Sequence, residues 1–153
     1  MNKALFLDRD GTINVDYGYV HRIEDFRFID GIFDLCLEAQ KKGYKIIIIT
    51  NQSGIEKGYY TEADYEITTK HMVSAFADRG IEITDIYYCP FINHEDRKPS
   101  PNMFLKAIKK HEIDAEQSIS VGDRERDIEA AKGAGIGKNF LFQGSYDEII
   151  SVL

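Results

Sequence analysis

Ile46-Ile47-Ile48-Ile49 stand in an unbroken row between Tyr44 and Thr50. β-Branched side chains favour extended backbone, and successive residues of a strand point to opposite faces. A run with no polar alternation therefore needs apolar cover on both faces, as in a parallel sheet flanked by helices. The rest of the chain agrees. Short runs at Lys3 to Leu7, Ile86 to Cys89, Ile119 to Val121 and Phe140 to Phe142 read as further strands. Helical patterns lie between them. Gly31 to Lys42 carries Ile32, Phe33, Leu35, Cys36 and Ala39 on one stripe, and Gly43 ends it. Thr61 with Asp64 forms a variant capping box for a helix reaching Arg79. Pro101 suits the first turn of a helix to about His111. Arg126 to Lys132 and Tyr146 to Leu153 complete the set. Strands alternating with helices predict an α/β fold: a doubly wound, mostly parallel sheet with right-handed crossovers. Asn14 to Asp30 has little period and reads as a loop, and Phe91 to Ser100 reads as another. One domain spanning residues 1–153 is expected, with no separate cap domain and at most a small lid from residues 14 to 28.

Composition closes off several classes. The net charge of -7 argues against a nucleic-acid or anionic-membrane surface. No apolar stretch is long enough to span a bilayer. Met1-Asn2-Lys3 leads directly into a strand with acids behind it, so no signal peptide is expected. Cys36 and Cys89 are the only cysteines, and Cys36 lies in a helical stripe. A disulfide framework is not expected, and a cytoplasmic monomer is the simplest setting.

The polar clusters follow the strands. Asp8 and Asp10 follow the first, from one face of the strand, and Gly11 lets the chain turn sharply behind them. Thr50-Asn51-Gln52-Ser53 follows the second, Arg97-Lys98 the third after a loop, and Gly122-Asp123-Arg124-Glu125-Arg126-Asp127 the fourth. In a parallel sheet these ends share one edge, where open α/β sheets bind ligands. Each cluster alone also reads as a polar turn, a solvated basic loop or a helix cap. Together they hold carboxylates for a hard divalent cation, hydroxyl and amide donors, a lysine and arginines. Those are the parts that phosphoryl transfer needs: neutralisation, alignment and an attacking oxygen.

Asp8-Arg9-Asp10-Gly11-Thr12, Thr50-Asn51, Lys98-Pro99 and Gly122-Asp123…Asp127 resemble the four ordered motifs of the haloacid dehalogenase-like phosphatases. Asp16-Tyr17-Gly18-Tyr19-Val20-His21, Phe28 to Gly31, Thr50 to Ile55 and Tyr87 to Pro90 are similar to the branch of that family acting on heptose bisphosphates. The resemblance implies a phosphorylated sugar as substrate and Mg²⁺ as cofactor. It implies Asp8 as nucleophile and Asp10 as proton carrier, with Thr50 and Lys98 steadying the phosphoryl group. The metal would sit on Asp8, the Asp10 backbone carbonyl and Asp123. Asp16, Tyr17, Gly18, Tyr19, Asn51, Gln52, Ser53, Arg97 and Arg124 would face the substrate. Asp127 is a lesser candidate for orienting Lys98 or a metal-bound water, and His21 one for touching substrate. Many members of that branch carry a zinc loop. Here Cys89 and His94 stand without the further thiolates of a four-ligand site, so zinc is not expected.

Two other readings compete. Histidinol-phosphatase domains share the first three motifs but are less similar from Asp16 to Gly31. A receiver-type signalling module also places acids, a hydroxyl and a lysine around Mg²⁺, but its phospho-acceptor follows the third strand. A kinase is disfavoured by the lack of a GxxxxGK[ST] loop.

Overall fold

The computed structural model describes residues 1–153. Five strands alternate with five helices: β1 Lys3–Leu7, α1 Ile32–Lys41, β2 Tyr44–Asn51, α2 Glu62–Ala77, β3 Ile83–Cys89, α3 Asn102–His111, β4 Ile119–Gly122, α4 Glu125–Gly133, β5 Lys138–Leu141 and α5 Asp147–Ser151. All neighbouring strands pair in parallel, in the order β3-β2-β1-β4-β5. Leu5 stands between Ile46 on one side and Ile119 on the other.

The pleat divides the core. Leu5, Leu7, Ile46, Ile48, Ile119 and Val121 pack with Ile32, Leu35 and Cys36 of α1, Met72 and Phe76 of α2 and Ile149 of α5. Ala4, Phe6, Ile47 and Ile49 turn the other way, onto Met103, Phe104 and Ala107 of α3 and Ala130 and Ala131 of α4. The isoleucine row thus feeds both cores in alternation, as its lack of polar residues predicts. The strand order also separates the competing readings. Receiver modules wind in the order 2-1-3-4-5, which this sheet does not follow.

Element ends differ from the sequence reading where polar side chains interrupt a pattern. β3 begins at Ile83 rather than Ile86, because Asp85 is tied to His111 at 2.7 Å and Lys110 at 3.2 Å on the strand's margin. β5 begins at Lys138, where pairing with Ile119 sets its register. α4 begins at Glu125, since the Asp127 carboxylate caps the Arg124 amide at 3.0 Å. The stretch after Thr12 is more ordered than a plain loop. Ile29 and Val15 bond to Ile13 and Arg27 across its neck. A 3-10 turn spans Ile23–Asp25, Val20 and Phe26 are buried, and Thr68 of α2 donates to the His21 carbonyl at 2.7 Å.

Candidate active site

The strand order reverses between β1 and β4, and a ligand crevice is expected beyond the carboxyl ends of strands at that point. A cleft of about 310 Å³ lies there, lined by Asp8, Asp10, Lys98, Asp123 and Asp127. Close packing at its base depends on glycine. Gly11 has φ +85, and a Cβ there would stand 2.0 Å from Asp123 Oδ2. The turn out of β1 and the turn out of β4 therefore fit together only without a side chain at Gly11.

Lys98 is the electrostatic centre. Its side chain is only 1% exposed, and its ammonium bonds to Asp8 Oδ1 at 3.0 Å, Asp127 Oδ1 at 2.7 Å and the Ile49 carbonyl at 2.7 Å. All the hydrogens of the ammonium are thus used. Asn51 fixes the Lys98 backbone in both directions. It accepts from the Lys98 amide at 3.0 Å and donates to the Lys98 carbonyl at 3.2 Å. Burial opposes the lysine's charge, but Asp8 and Asp127 outweigh it and hold the ammonium above its ordinary value. Burial pushes the Asp8 carboxyl well up, with Lys98 pulling against it and Asp127 adding to the rise. Burial likewise raises Asp123.

Oxygens of Asp8, Asp123 and Asp127 all lie within 4.8 Å of one another. Lys98 and Arg124, whose Nε stands 3.6 Å from Asp123 Oδ2, do not fully balance that charge, and Asp123 Oδ1 is buried with no hydrogen-bond partner. Asp127 already spends its oxygens on Lys98 and the Arg124 amide. A hard divalent cation fits this set, with Asp8 and Asp123 as the carboxylates free to hold it. The Asp10 side chain is turned elsewhere. Arg9 donates to its Oδ1 at 2.9 Å, Asn14 to the same oxygen at 3.0 Å and Gln52 to Oδ2 at 3.0 Å.

Asp16, Gly18, Tyr19, Asn51, Gln52, Ser53, Arg97 and Arg124 all line the cleft. Tyr17 does not; it is 59% exposed. Thr50 is buried and accepts a hydrogen bond from Gln52 at 3.0 Å. Arg126, from the polar cluster after β4, also lines the cleft, as do Lys57 and Tyr60, which sequence reasoning missed. Lys57 reaches the Tyr19 hydroxyl at 2.6 Å. Tyr60 directly precedes the Thr61 helix cap, a position that carries no signal of a site. Arg9 and Asn14 carried no signal beyond their place beside Asp10. Asp127 contacts Lys98 at 2.7 Å. His21 does not line the cleft but stacks on Tyr60. In the loop after β3, Cys89 Sγ lies 3.9 Å from the Phe91 carbonyl, and His94 stacks on Phe91 and accepts from the Asp96 amide at 3.0 Å. No helix is long and apolar enough to cross a membrane.

A family profile for haloacid dehalogenase-like hydrolases matches residues 12–135. The chain is 47% identical over 150 residues to a D-glycero-β-D-manno-heptose-1,7-bisphosphate 7-phosphatase of Haemophilus influenzae, covering 92% of this chain and 82% of that one. It is 48% identical over 144 residues to the enzyme of that name from Helicobacter pylori, covering 92% and 83%. Among solved structures, the D,D-heptose 1,7-bisphosphate phosphatase of B. bronchiseptica, complexed with magnesium and phosphate, superposes with a TM-score of 0.83 at 27% identity, covering 89% of this chain and 78% of that one.

Proposed function

The chain belongs to the haloacid dehalogenase-like hydrolases, and we propose that within them it is a phosphatase removing the 7-phosphate of D-glycero-D-manno-heptose 1,7-bisphosphate. The observation that carries this reading is the buried Asp8–Lys98–Asp127 group opening into a cleft that also holds Arg97, Arg124 and Arg126. An Asp8 oxygen attacks phosphorus and the bond from phosphorus to the sugar oxygen breaks. Asp10 gives its proton to that oxygen. Water then attacks the aspartyl-phosphate, Asp10 takes a proton from it, and the bond to Asp8 breaks to release phosphate. Lys98 draws Asp8 toward its ionised form against the burial that raises it, and Asp127 keeps Lys98 in place. Asp8 and Asp123 would hold Mg²⁺, which when bound would supply neutralisation of the phosphoryl oxygens that otherwise repel Asp8.

The arginines of the cleft suit a second anionic group, which a bisphosphate has. Histidinol phosphate presents an amine there, which they repel. A clear preference in kcat/KM for the sugar bisphosphate over histidinol phosphate is therefore expected. Equal or better use of histidinol phosphate would overturn the substrate reading.

Gly11→Ala tests the base of the cleft. The new methyl must displace Asp123, and a displacement of about 1 Å typically costs on the order of 10²-fold in rate. Turnover is expected to fall by that order while the circular dichroism spectrum stays unchanged. Activity within threefold of wild type would show that Asp123 need not stand where it does.

Zinc has no place in this reading, because Cys89 and His94 stand without the further thiolates of a four-ligand site. Chelation followed by restoration of Mg²⁺ is expected to return full activity and an unchanged melting temperature. Stoichiometric zinc by elemental analysis, lost together with the fold, would refute it.

A further inference from the structure

The Asp10 carboxylate is met by donors on both oxygens. Arg9 and Asn14 occupy Oδ1, and Gln52 Nε2 alone meets Oδ2, at 3.0 Å. A primary amide can offer either its NH₂ or its carbonyl to such a neighbour. Here the choice is fixed. The same Gln52 nitrogen donates to Thr50 Oγ1 at 3.0 Å, and the Tyr60 hydroxyl donates to Gln52 Oε1. Gln52 and Tyr60 are only 2% and 5% exposed. Burial pushes the Tyr60 hydroxyl far above its ordinary value, so it keeps the hydrogen it donates. The Tyr60 ring is seated in turn. It stacks on His21 at 5.0 Å with planes 7° apart, and it covers Gly54 so closely that a Cβ there would lie 2.2 Å from its Cε1.

We propose that Gln52 and Tyr60 are positioning residues for Asp10: Tyr60 fixes the orientation of the Gln52 amide, and Gln52 fixes the carboxyl edge that gives the proton to the leaving oxygen. This rests on Asp10 being the proton carrier of the proposed reaction. Gln52 then serves the leaving group of any substrate, not the sugar as such. In the step concerned, the bond from phosphorus to the leaving oxygen breaks and the Asp10 proton passes to that oxygen. A leaving group that departs easily as an anion needs little of this help.

Phenyl phosphate and 4-nitrophenyl phosphate have nearly the same shape and differ in leaving-group acidity. The test compares kcat/KM for the two, a parameter that stops at phosphoryl transfer when that step is irreversible. With phenyl phosphate, losses of about tenfold for Tyr60→Phe and on the order of 10²-fold for Gln52→Leu are expected. With 4-nitrophenyl phosphate both variants should stay within about threefold of wild type, since the proton transfer worth ~10²–10⁴-fold is barely used. Gly54→Ala, which unseats the Tyr60 ring, should behave like Tyr60→Phe. Equal losses on both aryl phosphates would mean general damage to the fold, and a loss confined to the sugar bisphosphate would mean a substrate contact; either overturns the proposal. Asp10→Asn separates the two levels. If it too fails to distinguish the aryl phosphates, the role given to Asp10 is wrong. If it does distinguish them while the Gln52 and Tyr60 variants do not, only the positioning proposal falls.

Discussion

Asp8→Asn is expected to abolish turnover of the sugar bisphosphate, with kcat lower by on the order of 10⁵–10⁶-fold, the scale of loss when a catalytic nucleophile is removed. The substitution is nearly isosteric and can still accept a hydrogen bond from Lys98, so folding is not the cause. An amide oxygen is a poor nucleophile toward a phosphoryl group, and the Lys98 ammonium paired with Asp8 has no carboxylate to activate in its place. The check is phosphate release over many hours, with the mass of the variant confirmed afterwards, because slow deamidation would recreate aspartate. A second readout is the covalent intermediate. Acid-quenched wild type should retain label from the transferred phosphate, and the variant should retain none. Turnover near the wild-type rate by protein of confirmed mass would remove Asp8 from the reaction.

The sheet and the edge that carries the site were legible because each rests on a local rule. Ile46 to Ile49 demanded cover on both faces and received it from two separate cores. Asp8, Asp123 and Lys98 were legible because each stands just beyond a strand or in the loop behind one, and parallel strands bring those ends together. The supporting contacts were less so. Asp127 spends one oxygen as a helix cap and the other on Lys98, and a capping aspartate looks the same in sequence whether or not its free oxygen meets a lysine. Gln52 read as a substrate contact because the family resemblance places Asn51 to Ser53 against the substrate. Its tie to Asp10 spans 42 positions of sequence, and no periodicity reports such a contact. Tyr17 and Tyr19 share one motif, yet a left-handed turn at Gly18 and Tyr19 carries only Tyr19 into the cleft. The strands β3 and β5 were misjudged at their starts for a related reason: polar residues there, Thr84 and Asp85 in β3 and Lys138 and Asn139 in β5, break the apolar run, and strand pairing with residues distant in sequence carries the strand through them.

Lys98→Met should be costly in two separable ways. Removing the ammonium leaves Asp8 and Asp127 buried beside each other with no cation between them. Breaking a buried pair in this way typically destabilises by about 3–5 kcal/mol. For a chain of this size that corresponds to a fall of roughly 6–20 °C in melting temperature. The protonation that relieves the strain falls on Asp8, which burial already pushes upward, and a protonated Asp8 does not attack phosphorus. Activity should therefore fall by on the order of 10³-fold or more, as expected when a preorganised cation beside the reacting group is lost. Adding Asp127→Asn to Lys98→Met separates the effects. It removes the repulsion, so melting temperature should recover in part, but it restores no cation beside the nucleophile, so activity should not. Mg²⁺ makes the complementary distinction. Excess metal should partly rescue Asp123→Asn, which weakens a metal ligand, and should not rescue Lys98→Met. The reverse pattern, rescue of Lys98→Met and none of Asp123→Asn, would interchange the roles of the two residues.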